Sequence, residues 1–180
     1  MHKDLEKILL TEEEIQEAAK QLARQIERDY ADEEEIMLVG LLKGSVQFMV
    51  DLLKNIHMRC KIDFMCVSSY GKGTTSSGRV NIVKDLSEPI DGKNVIIVED
   101  IIDSGNTLSF IGKYFGAKNA KSVRICTLLN KPSRREVEID VDYIGFEIPD
   151  EFVVGYGLDY QEYYRNLPYI GVLKREIYEQ

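Results

Sequence analysis

Apolar residues recur along this chain in two rhythms. Ile15, Ala19, Leu22 and Ile26 lie three or four positions apart behind Thr11-Glu12-Glu13-Glu14, the spacing of one helix face behind a capping box. Acids in that first turn suit the positive end of a helix dipole, so residues 12–30 are predicted as an amphipathic helix. The run IMLVGLL at 36–42 is apolar throughout and of strand length; after Lys43-Gly44-Ser45, residues Val46, Met49, Val50 and Leu53 return to helical spacing. Residues 60–67 alternate Cys60, Ile62, Phe64 and Cys66 against Lys61, Asp63 and Met65, which predicts a half-buried strand.

SSYGKGTTSSG at 68–78 carries three glycines and almost no apolar side chains, so a mobile surface loop is predicted there. RVNIVKDL (79–86) resumes as a strand, and Pro89 with Asp91-Gly92 marks a turn. NVIIV (94–98) is a buried strand, Leu108, Ile111 and Phe115 form a helix stripe, and SVRICTLL (122–129) is another strand. Strand–helix alternation of this kind predicts an α/β fold: a mostly parallel twisted sheet flanked by helices, with ligands at the carboxyl ends of its strands. From about residue 141 the pattern changes to short strand-like pieces, VDYIGFEI, FVVGYGLDY and YIGVL, cut by Pro149, Gly155, Gly157 and Pro168.

The 180-residue length fits one compact domain, and a composition 44% hydrophobic and 30% charged is that of a globular chain. No apolar run approaches the roughly 20 residues needed to span a bilayer, and the opening MHKDLEKILLTEEE lacks a signal-peptide core, so no membrane association and a cytoplasmic location are expected. Cys60, Cys66 and Cys126 show no metal-site spacing and are expected as buried reduced thiols. A formal net charge of -8 argues against a broad nucleic-acid surface and turns attention to small-molecule chemistry.

Candidate chemistry concentrates at IIVEDIIDSGNTLSF (96–110). Carboxylates are costly to bury unpaired, so Glu99, Asp100 and Asp103 imply that this strand end faces solvent or a ligand. Asp103-Ser104-Gly105-Asn106-Thr107 opens a helix, and its N–H groups and hydroxyls suit an anion such as phosphate. The acids before it suit sugar hydroxyls or a magnesium ion. A phosphorylated sugar is the ligand these features describe together.

VIIVEDIIDSGNTL (95–108) resembles the phosphoribosyl-pyrophosphate motif of the type I phosphoribosyltransferases. LLKGS (41–45), SSYGKGTTSSG, KPSRR (131–135) and FVVGYGLDYQEYYRNLP (152–168) resemble the hypoxanthine-guanine branch of that family in particular. The resemblance implies one phosphoribosyltransferase domain over 1–180, with a core of about 30–140 and a small irregular β hood over the base from about 141–180 plus the N-terminal segment. It implies transfer of 5-phosphoribosyl to N9 of hypoxanthine or guanine, with pyrophosphate released. A phosphoribosyl-pyrophosphate-sensing RNA-binding regulator and a xanthine-preferring enzyme are the alternatives.

The resemblance also implies roles. Glu99 and Asp100 would contact the ribose, and Ser104, Gly105, Asn106 and Thr107 the 5'-phosphate. Asp103 would be the general base toward purine N7. Lys43, Gly44 and Arg165 would bind pyrophosphate, with a non-proline cis peptide between Leu42 and Lys43. Lys131 would donate to the 6-oxo group, Phe152 would stack on the base and Val153 would hold it through its backbone. Asp159 would lie at the purine side and, with Glu99 and Asp100, ligate Mg2+. Ser69 and Tyr70 would belong to a closing loop. Ser104 and Ser45 replace residues common in the family with others of similar size or hydroxyl character. A homodimer or homotetramer is expected.

Overall fold

The computed structural model describes residues 1–69 and 80–179. Six strands form the large sheet in the order β4-β3-β2-β5-β6-β7: β2 Ile36–Leu41, β3 Cys60–Ser69, β4 Val80–Lys84, β5 Asn94–Ile102, β6 Ser122–Asn130 and β7 Tyr143–Glu147. Every pairing is parallel except β3 with β4. The central strand β2 is buried along its whole length, as a strand covered on both faces must be.

Three helices cover this sheet. α1 (Glu12–Asp29) begins with the capping box read from the sequence: Glu14 N–H donates to Thr11 Oγ1, and the Glu14 carboxylate accepts from Thr11 N–H. Its stripe Ile15, Ala19, Leu22 and Ile26 is buried. α3 (Asn106–Ala117) buries Leu108, Ile111 and Phe115 on the opposite side, in the cluster that holds Met37, Val39, Val95 and Ile97. α2 (Val46–Lys54) differs from expectation. Phe48, Met49 and Leu52 face the core, whereas Val46 and Val50 are exposed, because the helix axis rotates the stripe by about one residue.

A second sheet has three strands in the order β1-β9-β8: β1 Leu5–Leu10, β8 Val153–Val154 and β9 Ile170–Leu173. Leu5, Val154 and Leu173 form its own buried cluster. A short helix, α4 (Arg175–Tyr178), follows it. β1, from the N-terminal segment, pairs with β9 in this small sheet, whereas β7 pairs with β6 as the edge of the large one, so the strands the small sheet takes from the C-terminal part, β8 and β9, both follow β7.

Two further expectations change. On β3 both faces are covered rather than one: Cys60 and Phe64 pack against the cluster beneath α1 and α2, Met65 and Val67 against the one beneath α3, with Asp63 buried and Ile62 exposed. All three cysteines are free thiols, but only Cys126 is buried; burial pushes its thiol far up, and pushes that of Cys60 up to about 11. Among the described residues no helix is long and apolar enough to cross a membrane.

Candidate active site

β5 carries the acids farther than the sequence suggested, since the strand continues through Glu99 and Asp100 to Ile102. Successive strand residues point to opposite faces, and the two carboxylates, although side by side, line different cavities. Glu99 lines a small cavity of about 110 Å3 with Asp103, Ser104, Gly105 and Thr107, whereas Asp100 lines a larger cleft of about 590 Å3. Burial, followed by the charge of Asp100 beside it, holds the Glu99 carboxyl well above the ordinary range.

The small cavity is built by the turn between β5 and α3. Gly105 has φ +85, a conformation that favours glycine, and a Cβ there would stand 3.0 Å from the carbonyl of Val137. Asn106 N–H donates to Ser104 Oγ, Asn106 Nδ2 donates to Glu136, and the Ser104 carbonyl accepts from Glu136 and Val137. Arg135 Nε donates to the Asp103 carbonyl, so the segment after β6 braces the cradle.

The larger cleft lies between the two sheets. Asp100, Ile101 and Asp103 line it from β5 and its turn, Lys131 from the end of β6, and Phe152, Val153, Leu158 and Asp159 from the small-sheet side. Lys131 is 7% exposed; its Nζ donates to the Glu151 carbonyl at 2.7 Å and lies 3.9 Å from both Asp103 and Asp150. An ammonium has three donors, and the one given to the Glu151 carbonyl leaves two for a ligand in the cleft. Phe152 is 37% exposed, stacked at 4.7 Å on Tyr178 and edge-on to Tyr160. Its carbonyl accepts from Leu173 N–H.

Lys43 and Gly44 occupy the turn after β2, and the Leu42–Lys43 peptide is cis. Gly44 lies so close to Asp100 that a Cβ would stand 1.8 Å from the carboxylate, and a Cβ on Gly157 would stand 2.1 Å from the Gly44 carbonyl. These contacts bring the turn, β5 and the loop after β8 together. In that loop Arg165 pairs with Asp159 at 2.9 Å and donates to the Gly157 carbonyl at 2.7 Å.

Of the loop read at 68–78, Ser68 and Ser69 are instead the end of β3, and Tyr70 with the rest of it lies outside the described residues. Asp159 and the acids of β5 do not form a metal-binding cluster: among the described residues no three His, Cys, Asp or Glu gather to hold a metal. Asp100 and Asp159 do share the cleft, which fits Mg2+, a hard ion held by one or two carboxylates together with ligand phosphates. Sequence reasoning missed Arg134, Asp150, Glu151, Leu158, Tyr178 and Glu179 on the cleft walls. Asp150 and Glu151 adjoin Phe152 in the chain and were within reach of a closer reading; Tyr178 meets Phe152 only through folding and left no local signal.

The chain is similar over almost its whole length to proteins of one family. It is 53% identical to the hypoxanthine-guanine phosphoribosyltransferase of Bacillus subtilis, covering 99% of each chain. A crystal structure of a hypoxanthine phosphoribosyltransferase from Staphylococcus aureus superposes with a TM-score of 0.95 at 52% identity, covering 100% of this chain and 97% of that one. The chain is also 53% identical to a part of the bifunctional protein TilS/HprT of Listeria monocytogenes, all of it spanning only 28% of that protein's length. The family described as phosphoribosyl transferase domain matches residues 6–161, and with this sheet order and this cradle behind β5 the chain belongs to that family.

Proposed function

We propose that the chain is a hypoxanthine (guanine) phosphoribosyltransferase of purine salvage, working in the cytoplasm as one domain over residues 1–180 and as a homodimer or homotetramer. One observation carries this: Asp103 lines both the small cavity and the large cleft, so a sugar phosphate in one and a base in the other meet at its carboxylate. The names of the similar proteins support hypoxanthine or guanine over xanthine and do not favour an RNA-binding regulator.

Ser104, Gly105, Asn106 and Thr107 hold the 5'-phosphate, and Glu99 and Asp100 the ribose hydroxyls. Lys131 donates to the purine 6-oxo group, which disfavours adenine, while Phe152 stacks on the base and Val153 contacts it through its backbone. Lys43, Gly44 and Arg165 bind the pyrophosphate. Asp159 and the β5 acids, Asp100 sharing its cleft, would hold Mg2+ together with substrate oxygens, and the ion would supply charge neutralisation for the leaving group. As the bond from C1 to pyrophosphate breaks and the bond from N9 forms, Asp103 takes the proton at N7. Ser69 and Tyr70 belong to a segment that excludes water from the ribosyl centre.

Pyrophosphate release from phosphoribosyl pyrophosphate and Mg2+ is the test, with hypoxanthine, guanine, xanthine, adenine and uracil in parallel. Turnover with hypoxanthine or guanine is expected. Activity restricted to xanthine, or binding of the sugar phosphate with no turnover on any base, would replace this reading. Asp103→Asn is expected to depress kcat by about a hundredfold, the contribution typical of a positioned base, with phosphoribosyl-pyrophosphate binding retained.

A further inference from the structure

Lys43 and Arg165 come from distant parts of the chain, yet both end on a single carboxylate that the proposed chemistry does not use. Lys43 Nζ stands 2.5 Å from Glu162 Oε2, and Arg165 Nη2 stands 3.1 Å from Glu162 Oε1. One oxygen on each cation is the arrangement in which two phosphate oxygens would also be held. Lys43 first, then Arg165, holds the Glu162 carboxyl below its ordinary value, so it is a full negative charge at neutral pH.

The backbone presents this carboxylate through an uncommon conformation. Glu162 has φ 70 and Gln161 φ 51, both left-handed for residues with side chains, and Glu162 N–H donates to Asp159 Oδ2 at 2.8 Å. Arg165 keeps its contacts with Asp159 and the Gly157 carbonyl independently of Glu162, so releasing Glu162 leaves the guanidinium positioned. Lys43 and Glu162 are 64% and 62% exposed, so the pair between them is weakly held and exchanges readily for another anion.

We infer that Glu162 is a built-in anion: it occupies the two pyrophosphate-binding cations while substrate is absent, keeps them gathered, and competes with the incoming pyrophosphate group. This rests on the reading of Lys43 and Arg165 as pyrophosphate contacts. Glu162 thereby sets affinity for that group without touching the reacting atoms.

Calorimetric titration of the full chain with inorganic pyrophosphate and Mg2+, alongside KM for phosphoribosyl pyrophosphate and for hypoxanthine, tests it. Glu162→Gln is expected to bind pyrophosphate about two- to fivefold more tightly and to lower KM for phosphoribosyl pyrophosphate by a similar factor, the scale of an exposed ion pair. KM for hypoxanthine stays unchanged. Unchanged or weaker pyrophosphate binding by Glu162→Gln, with Arg165→Ala still losing affinity, overturns the inference alone. Wild-type affinity in both Lys43→Ala and Arg165→Ala overturns the reading of the site beneath it.

Discussion

Gly44 shows how one missing methyl group shapes the proposed site. Its backbone packs against the Asp100 carboxylate so closely that a Cβ would come within 1.8 Å of Oδ2, and Asp100 is itself fixed by accepting from Ile101 N–H at 2.9 Å. Gly44→Ala must therefore move either the Lys43 turn or an acid at the cleft. We expect kcat/KM for phosphoribosyl pyrophosphate to fall about tenfold or more, roughly 1.4 kcal/mol, with little change in melting temperature. Lys131 makes a contrasting case, because its partners face the base: Lys131→Met should cut kcat/KM for hypoxanthine by about 10- to 100-fold, the loss expected for a hydrogen bond from a charged donor. Steady-state kinetics separate the two sites. Equal damage to pyrophosphate binding by Lys131→Met would remove it from the base subsite.

Strand β3 explains both what the sequence disclosed and what it hid. Its existence, like that of α1, β2, β5, α3 and β6, was legible because apolar periodicity over several residues reflects burial against a sheet face. Its facing was not. Asp63, polar by pattern, is buried because it accepts from the adjacent Phe64 N–H at 2.7 Å and from Ser87 N–H at 2.6 Å, a partner that lies beyond β4 in the chain. β1 stayed unread for a similar reason: irregular register against β9 breaks its alternation. Burial acts to raise the Asp63 carboxyl, but the Ser87 and Phe64 N–H groups and Lys84 outweigh it and leave it below the ordinary value of 3.8. A depressed carboxyl adds stability above its unfolded pKa and loses it as pH falls through its folded pKa. Asp63→Asn should thus cost about 2 kcal/mol at pH 7, and urea unfolding should show the gap to wild type closing below about pH 3.8. A gap of constant size would assign Asp63 a role independent of its charge.

Between the two sheets, chain order and spatial order part most widely. The acidic motif and the cradle were legible in the sequence because a contiguous turn builds them, whereas on the base side of the cleft Lys131 and Phe152 meet Tyr178 only through folding, beside a small sheet whose first strand comes from residues 5–10. That first strand secures the small sheet by several routes. Leu5 is 1% exposed and packs with Val154 and Leu173, Lys7 pairs with Glu151 at 2.6 Å, and Tyr164 donates to Asp4 at 2.9 Å. Glu151 and Val154 flank Phe152 and Val153, so the N-terminal strand supports the wall on which the base would lie without lining the cleft. Truncating Leu5 to Ala leaves a void in a three-residue cluster too small to close over it, which should lower unfolding free energy by about 2 to 4 kcal/mol. If the small sheet is the base-side wall, the surviving folded enzyme should show KM for hypoxanthine raised several-fold while KM for phosphoribosyl pyrophosphate, bound mainly by the β5 turn, moves less. Kinetics measured well below the variant's melting temperature decide this, because loss of folded protein lowers apparent kcat alone. A rise in both KM values together would mean that the two sheets respond as one body and that the wall has no separate influence on the base.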